Sequence, residues 1–199
     1  MSLRPFLLAA LLAGTPSWSA AQHRGAAAPA APFTAPPEAS QFDFLVGQWE
    51  LVVMPKVNSL AARIHGQPKL LGTWKAWRAF DGFGIEDELR IVDGSGNPAT
   101  LSHAMRAWSA AERQWLVTSL DAYRGRFGSS SGAFAGGQMV LTGRGTDADG
   151  KPMLTRTRFS GITATAFRMQ QDRSTDDGKT WVEGALTIEA KRVAAQAPR

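Results

Sequence analysis

The sequence predicts an all-β domain, an antiparallel up-and-down barrel of about ten short strands with a short N-terminal helical plug. Three observations predict it. From Gly47 onward apolar and polar residues alternate with period two, and no window of helical length keeps an apolar stripe at 3.6-residue spacing. Turn-forming clusters separate the runs: Asp81-Gly82, "DGSGNP" (93–98), "SAAER" (109–113), "AGG" (135–137), "DADGK" (147–151), Ser160-Gly161 and "DDGK" (176–179). Ten strands in a row leave two unpaired edges unless the sheet closes, and closure removes both. A twisted sandwich is the alternative architecture.

The elements follow in chain order. Residues 1–21 carry the pattern of a secretory signal peptide: a lone Arg4, an apolar run Pro5–Leu12 and a small-residue exit Ser19-Ala20-Ala21, with cleavage expected near Ala21. The run is shorter than the roughly 20 residues a bilayer-crossing helix needs, so no transmembrane segment is expected and the mature chain is expected to be secreted or periplasmic. Residues 22–40 are Ala/Pro-rich, with too little apolar bulk to repay ordering, and read as a flexible linker. The barrel domain is expected over 41–193 and a disordered tail over 194–199.

Within that domain strands are expected at 47–55, 71–80, 84–92, 100–108, 114–121, 126–134, 138–145, 152–159, 164–172 and 180–191. The last strand shows its faces most clearly. Val182, Leu186, Ile188 and Ala190 point one way, and Glu183, Thr187, Glu189 and Lys191 the other. Arg192 falls on the apolar side, where a guanidinium needs a partner, and the face of an indole suits it. Trp49, Leu51 and Val53 share a face of the first strand. Phe42, Phe44 and Leu45 just before it are spaced for one helical turn that plugs a barrel end, and Gly47 lets that turn approach the strand. Gly47, Trp49 and Arg192 are therefore expected to form a structural latch joining first and last strands.

The short turn, the Gly-x-Trp on strand one and the terminal basic residue over the indole are similar to the calycin group of barrels: lipocalins, fatty-acid-binding proteins and nitrobindins. More closely, "FDFLVGQWEL", "LSHAMRAW…ERQW", "DGKPMLTRTRF" and "DRSTDDGKTWVEGALTIEAKR" resemble a family of uncharacterised bacterial secreted proteins with an FDF-x-x-G-x-W opening and a D-G-G-K-T-W hairpin near the end. The resemblance runs with gaps from Phe42 to Arg192. It implies a calycin-like, lipocalin-like barrel and carries over no established activity. Nitrobindin-like barrels place a haem-ligating histidine late in the chain, and here no histidine follows His103. No haem or other cofactor is expected.

Composition excludes several chemistries. With no cysteine there is no thiol nucleophile, disulfide or Cys-based metal site. The formal charge is +5, but the basic residues are scattered among acids without the stripe a phosphate backbone selects, so no nucleic-acid partner is expected. No Gly-x-Ser-x-Gly elbow, H-E-x-x-H pair or calcium loop occurs, and no metal site is expected.

Three groups remain as catalytic candidates. Glu86 and Glu88 share a face of the third strand with Arg90. They form an acid–base pair if that face lines a cavity and burial raises a carboxyl pKa, or a solvated ladder if it faces out. His103, sharing a face with Met105 and Ala107, is either a cavity imidazole or a wall histidine.

The aromatics are in surplus. Trp74 and Trp77, three apart, cannot both face inward. Inward-facing Arg106 and Arg158 would give a basic, aromatic-walled cavity suited to an amphipathic anion, and facing out they are plain surface. The expected ligand-binding residues are Trp77, Arg106, Trp108, Trp115 and Arg158. The expected function is non-covalent binding of a small hydrophobic or amphipathic molecule, against an enzyme acting on a barrel-bound molecule or an envelope interaction module. Nothing in the sequence fixes an oligomeric state.

Overall fold

A computed structural model of the chain describes residues 33–147 and 149–194. The expected signal peptide, most of the linker and nearly all of the tail lie outside the described residues. The chain forms a closed, all-antiparallel barrel: β1 (Gly47–Pro55), β2 (Leu70–Ala79), β3 (Gly84–Val92), β4 (Pro98–Ser109), β5 (Gln114–Asp121), β6 (Arg126–Ala135), β7 (Gln138–Thr146), β8 (Pro152–Ser160), β9 (Ala166–Ser174) and β10 (Val182–Arg192). Each strand pairs with its neighbour in sequence and β10 returns to β1, with Trp49 opposite Arg192 and Val53 opposite Ile188. This is the calycin-like up-and-down barrel.

Two ends result. The closed end is stoppered by two 3-10 turns, Pro37–Ser40 and Asp43–Leu45, which bury Ala39, Phe42 and Leu45. The first of them falls inside the expected linker, so ordered structure begins before residue 41. It starts there because Pro37 presets the backbone for the turn and Ser40 Oγ donates to the Pro37 carbonyl at 2.7 Å. Inside the stopper, Phe42 meets Trp115 edge-on at 4.7 Å, and Trp49, Trp74, Phe159 and Phe167 join it in one aromatic core. Edge-to-face contacts satisfy the ring quadrupoles while excluding water from large areas. Packing of this kind is the main stabiliser of a chain without staples.

The open end carries a helix absent from the sequence expectation. Leu60–His65 form α1 in the β1–β2 connection, started by Ser59, whose hydroxyl accepts from the Ala62 N–H at 3.1 Å. At the same end the regular alternation of β10 is broken. The register shifts between Val182 and Leu186, and Gly184 adopts φ 59°. Val182, expected in the apolar row, is consequently half-exposed at the rim.

Candidate functional site

The barrel interior is divided. Its closed half is solid. Its open half contains a cavity of about 460 Å³. The difference lies in side-chain size: at the open end β5–β7 turn Ser119, Gly128, Ser130, Gly143 and Gly145 toward the axis, and none can fill it. Gly143 cannot easily be larger, since a Cβ there would lie 2.8 Å from the Ser129 carbonyl oxygen, Ser130 Cβ and Thr155 Oγ1.

The cavity wall is mixed. Leu89 and Ile91 of β3, Met153 of β8 and Leu186 of β10 give it apolar patches. Ser102, Ser119, Ser130, Thr155 and Thr157 give hydroxyls, Gln171 and Arg173 of β9 bring an amide and a guanidinium, and Arg124, Arg126 and Arg144 line it together with the carboxylates of Asp121 and Asp147. Gln171 donates through Nε2 to Thr157 Oγ1 at 3.3 Å and accepts from Arg173 Nε at 3.0 Å. Arg173 is held in place by this amide, and desolvation lowers its pKa below the ordinary guanidinium value.

Arg106 and Trp115 do point inward, but into the solid half. Arg106 is ion-paired with Asp87, and its guanidinium carbon lies 5.3 Å from the Phe42 ring centroid and 6.0 Å from that of Trp74. Trp74 Nε1 donates to Asp87 Oδ1 at 2.7 Å. Burial pushes the Arg106 pKa down to about 9. It therefore remains charged at neutral pH and neutralises the buried Asp87. Trp115 is fully buried and donates from Nε1 to Gln41 Oε1 at 3.1 Å, and Trp108 meets it at 6.2 Å. Trp77 faces out beside His103, ring centroids 5.8 Å apart, while Trp74 takes the interior.

Arg158 also lies outside the barrel. With Arg156 it is paired to Asp172, at 2.7 and 3.3 Å, and Asp172 further accepts from Gln170 Nε2 and the Gly184 N–H. Burial of Asp172 acts to raise its pKa, but these donors outweigh it and hold the carboxyl below its usual value. None of Trp77, Arg106, Trp108, Trp115 and Arg158 lines the 460 Å³ cavity.

Glu86, Glu88 and His103 are on the outer wall. Glu86 stands 3.6 Å from His103 Nε2, and Glu88 accepts from Arg90 Nε at 2.7 Å. The Arg90 hydrogen bond lowers the Glu88 pKa, the reverse of the shift a general acid requires. The described residues contain no cluster of three or more metal-ligating side chains.

Gly47, Trp49 and Arg192 are brought together at the seam. The Arg192 guanidinium carbon lies 4.1 Å from the Trp49 ring centroid, and its nitrogens donate to the carbonyls of Val46 (2.7 Å), Phe44 (3.2 Å) and Ala164 (2.6 Å). Trp49 Nε1 donates to the Leu45 carbonyl at 2.8 Å. Gly47 is small for the sake of this guanidinium: a Cβ there would sit 2.2 Å from Arg192 Nη1.

The S-type phycobiliprotein lyase CPES from Guillardia theta aligns over 79% of this chain and 93% of its own, at 10% identity and a TM-score of 0.50. The likeness is one of fold. EF1p2_mFAP2b bound to DFHBI aligns over 78% of this chain and 99% of its own, at 9% identity and a TM-score of 0.42. No family model matches the chain, and no curated protein does.

Arg173 and its cavity were missed for a definite reason. The ninth strand was expected to end at residue 172, one short of Arg173, whereas it runs to Ser174. Extending the apolar row Phe167, Met169 by its own period reaches Gln171 and then Arg173, and that continuation was the available signal.

Proposed function

We propose that the protein is an exported carrier or receptor that binds a small amphipathic molecule non-covalently in the open half of its barrel. One observation carries this reading: a cavity of about 460 Å³ with apolar patches and convergent polar groups on a rigid closed sheet. That volume falls in the range of small-molecule sites, roughly 300–1,000 Å³. The solid half does not serve, because Arg106 is ion-paired with Asp87 there and aromatic rings fill the space around them. Export is supported by the leader pattern of residues 1–21.

The test is native mass spectrometry of protein expressed with its own leader and purified from the periplasm. The expected species begins at Gln22 and carries a small adduct that is released on denaturation. Ser119→Phe, which fills the cavity from β5, is expected to remove the adduct while the circular dichroism spectrum stays β-like. A folded wild-type protein that is free of adduct and gives no fluorescence change with an apolar probe such as N-phenyl-1-naphthylamine would refute the reading.

A further inference from the structure

Besides Arg173, five described arginines of this barrel are wholly or partly buried, and each has partners; Arg126 donates to the Asp147 carbonyl. Arg106 is neutralised by Asp87, Arg156 and Arg158 by Asp172, and Arg192 spends its nitrogens on three carbonyls under an indole. Arg173 differs. Its Nε donates to the neutral Gln171 amide, and no carboxylate lies within 4.0 Å of it among the described residues. Its two Nη groups make no hydrogen bond to described protein atoms, yet the side chain lines the cavity. A half-buried guanidinium without a counter-charge destabilises the empty protein, since desolvation penalises the charge and only the neutral Gln171 amide offsets it.

We propose that the ligand of the cavity is an organic oxyanion, a carboxylate, sulfonate or phosphate ester, whose charged group is received by the Nη face of Arg173. This rests on the reading of the cavity as a ligand site and adds the chemical class. The fork geometry of a guanidinium fits two oxygens of such a group at once. Gln171 is a positioning residue: by accepting from Nε it fixes the plane of the fork and leaves both Nη groups to the cavity. Thr155, directly opposite Arg173 across the β8–β9 ladder, places a hydroxyl beside the same spot. On the far side of the barrel, Leu89 and Ile91 supply the surface for the apolar part of the molecule. An amphipathic anion thus spans the cavity from β9 to β3.

Two fluorescent probes separate this inference from the reading beneath it. 1-Anilinonaphthalene-8-sulfonate carries a sulfonate, and N-phenyl-1-naphthylamine has the same ring system without it. Arg173→Gln is expected to weaken the sulfonate about tenfold or more, the loss typical of one charge-assisted hydrogen-bonded contact, while changing the uncharged probe by less than about twofold. Arg173→Lys is expected to fall between, because the charge stays and the fork is lost. Salt is expected to weaken the sulfonate in wild type more than in Arg173→Gln. Arg168→Gln, an exposed change on the outer face of β9, is expected to alter neither.

A second readout distinguishes a binding role from a structural one. With no ligand present, Arg173→Gln is expected to melt at or above the wild-type temperature, since it removes an uncompensated charge. Equal effects on both probes, no effect on either, or a large fall in melting temperature would overturn the oxyanion inference while leaving the cavity as a binding site. Failure of both probes to bind folded wild-type protein would overturn the two together.

Discussion

A methyl group on Gly47 would collide with the guanidinium that closes the barrel, and the backbone there has φ 126°, a conformation that side chains resist. Gly47→Ala is therefore expected to destabilise the protein by about 3 kcal/mol, read as a lowered urea midpoint in tryptophan fluorescence. A midpoint within experimental scatter of wild type would mean that Arg192 does not occupy that space. The Gly-x-Trp pattern was legible in the sequence. The reason for the glycine was not, because the pattern points to the neighbouring turn and the residue that needs the room lies at 192. Arg106 and Arg158 show a different limit of legibility. On β8 both faces are polar, with Thr155 and Thr157 on one side and Arg156 and Arg158 on the other, so alternation reveals two faces without saying which is inside. A hydroxyl-lined cavity looks like solvent to a hydrophobicity argument. The threonines take the interior, and Arg158 is left on the wall with Asp172.

At the scale of elements, the β9–β10 hairpin shows how turn chemistry fixes strand ends. Asp176 accepts from Thr180 Oγ1 at 2.6 Å, from the Thr180 N–H at 2.9 Å and from Ser174 Oγ at 2.8 Å. These donors, Thr180 foremost, pull its pKa from 3.8 to about 2. A depressed carboxyl stabilises the fold fully above its unfolded value and loses that contribution as pH falls through the folded one. The hairpin is thus expected to be intact above about pH 4 and to loosen between about pH 4 and pH 2. Trp181, bonded to the Gly178 carbonyl and lying 4.0 Å from the Arg156 guanidinium, reports the change in its fluorescence. In Asp176→Asn that acid transition is expected to flatten. If the variant titrates like wild type, another group carries it. Turn signals of this kind made most strand boundaries legible, since Asp and Gly mark the reversals directly. The helix α1 was not legible: six residues are too few for a helical period to register, and only its Ser59 cap marks it.

For the whole molecule, closure is the property from which the divided interior follows. A sheet sealed by β1 against β10 gives one end to the aromatic stopper and the other to the cavity, and no exposed edge is left to splay open. The seam can be tested covalently because the chain has no cysteine of its own. Glu50 and Lys191 face each other across it on the exposed side. Directly opposed residues in an antiparallel ladder have Cα atoms about 4.5–5.5 Å apart, inside the range a disulfide spans. The double variant Glu50→Cys/Lys191→Cys is expected to form one intramolecular disulfide under mild oxidation, detectable as a two-hydrogen mass loss and faster non-reducing migration. Because the bond closes a long loop of chain, it should raise the unfolding free energy by about 3 kcal/mol relative to the reduced form. Ligand binding should survive it, since the crosslink lies on the outer surface of a wall that does not need to open for the cavity to be reached from its end. Thiols that stay free, or that pair only between molecules, would mean that the first and last strands are not neighbours, and the partition of the interior into a packed end and a binding end would lose its basis.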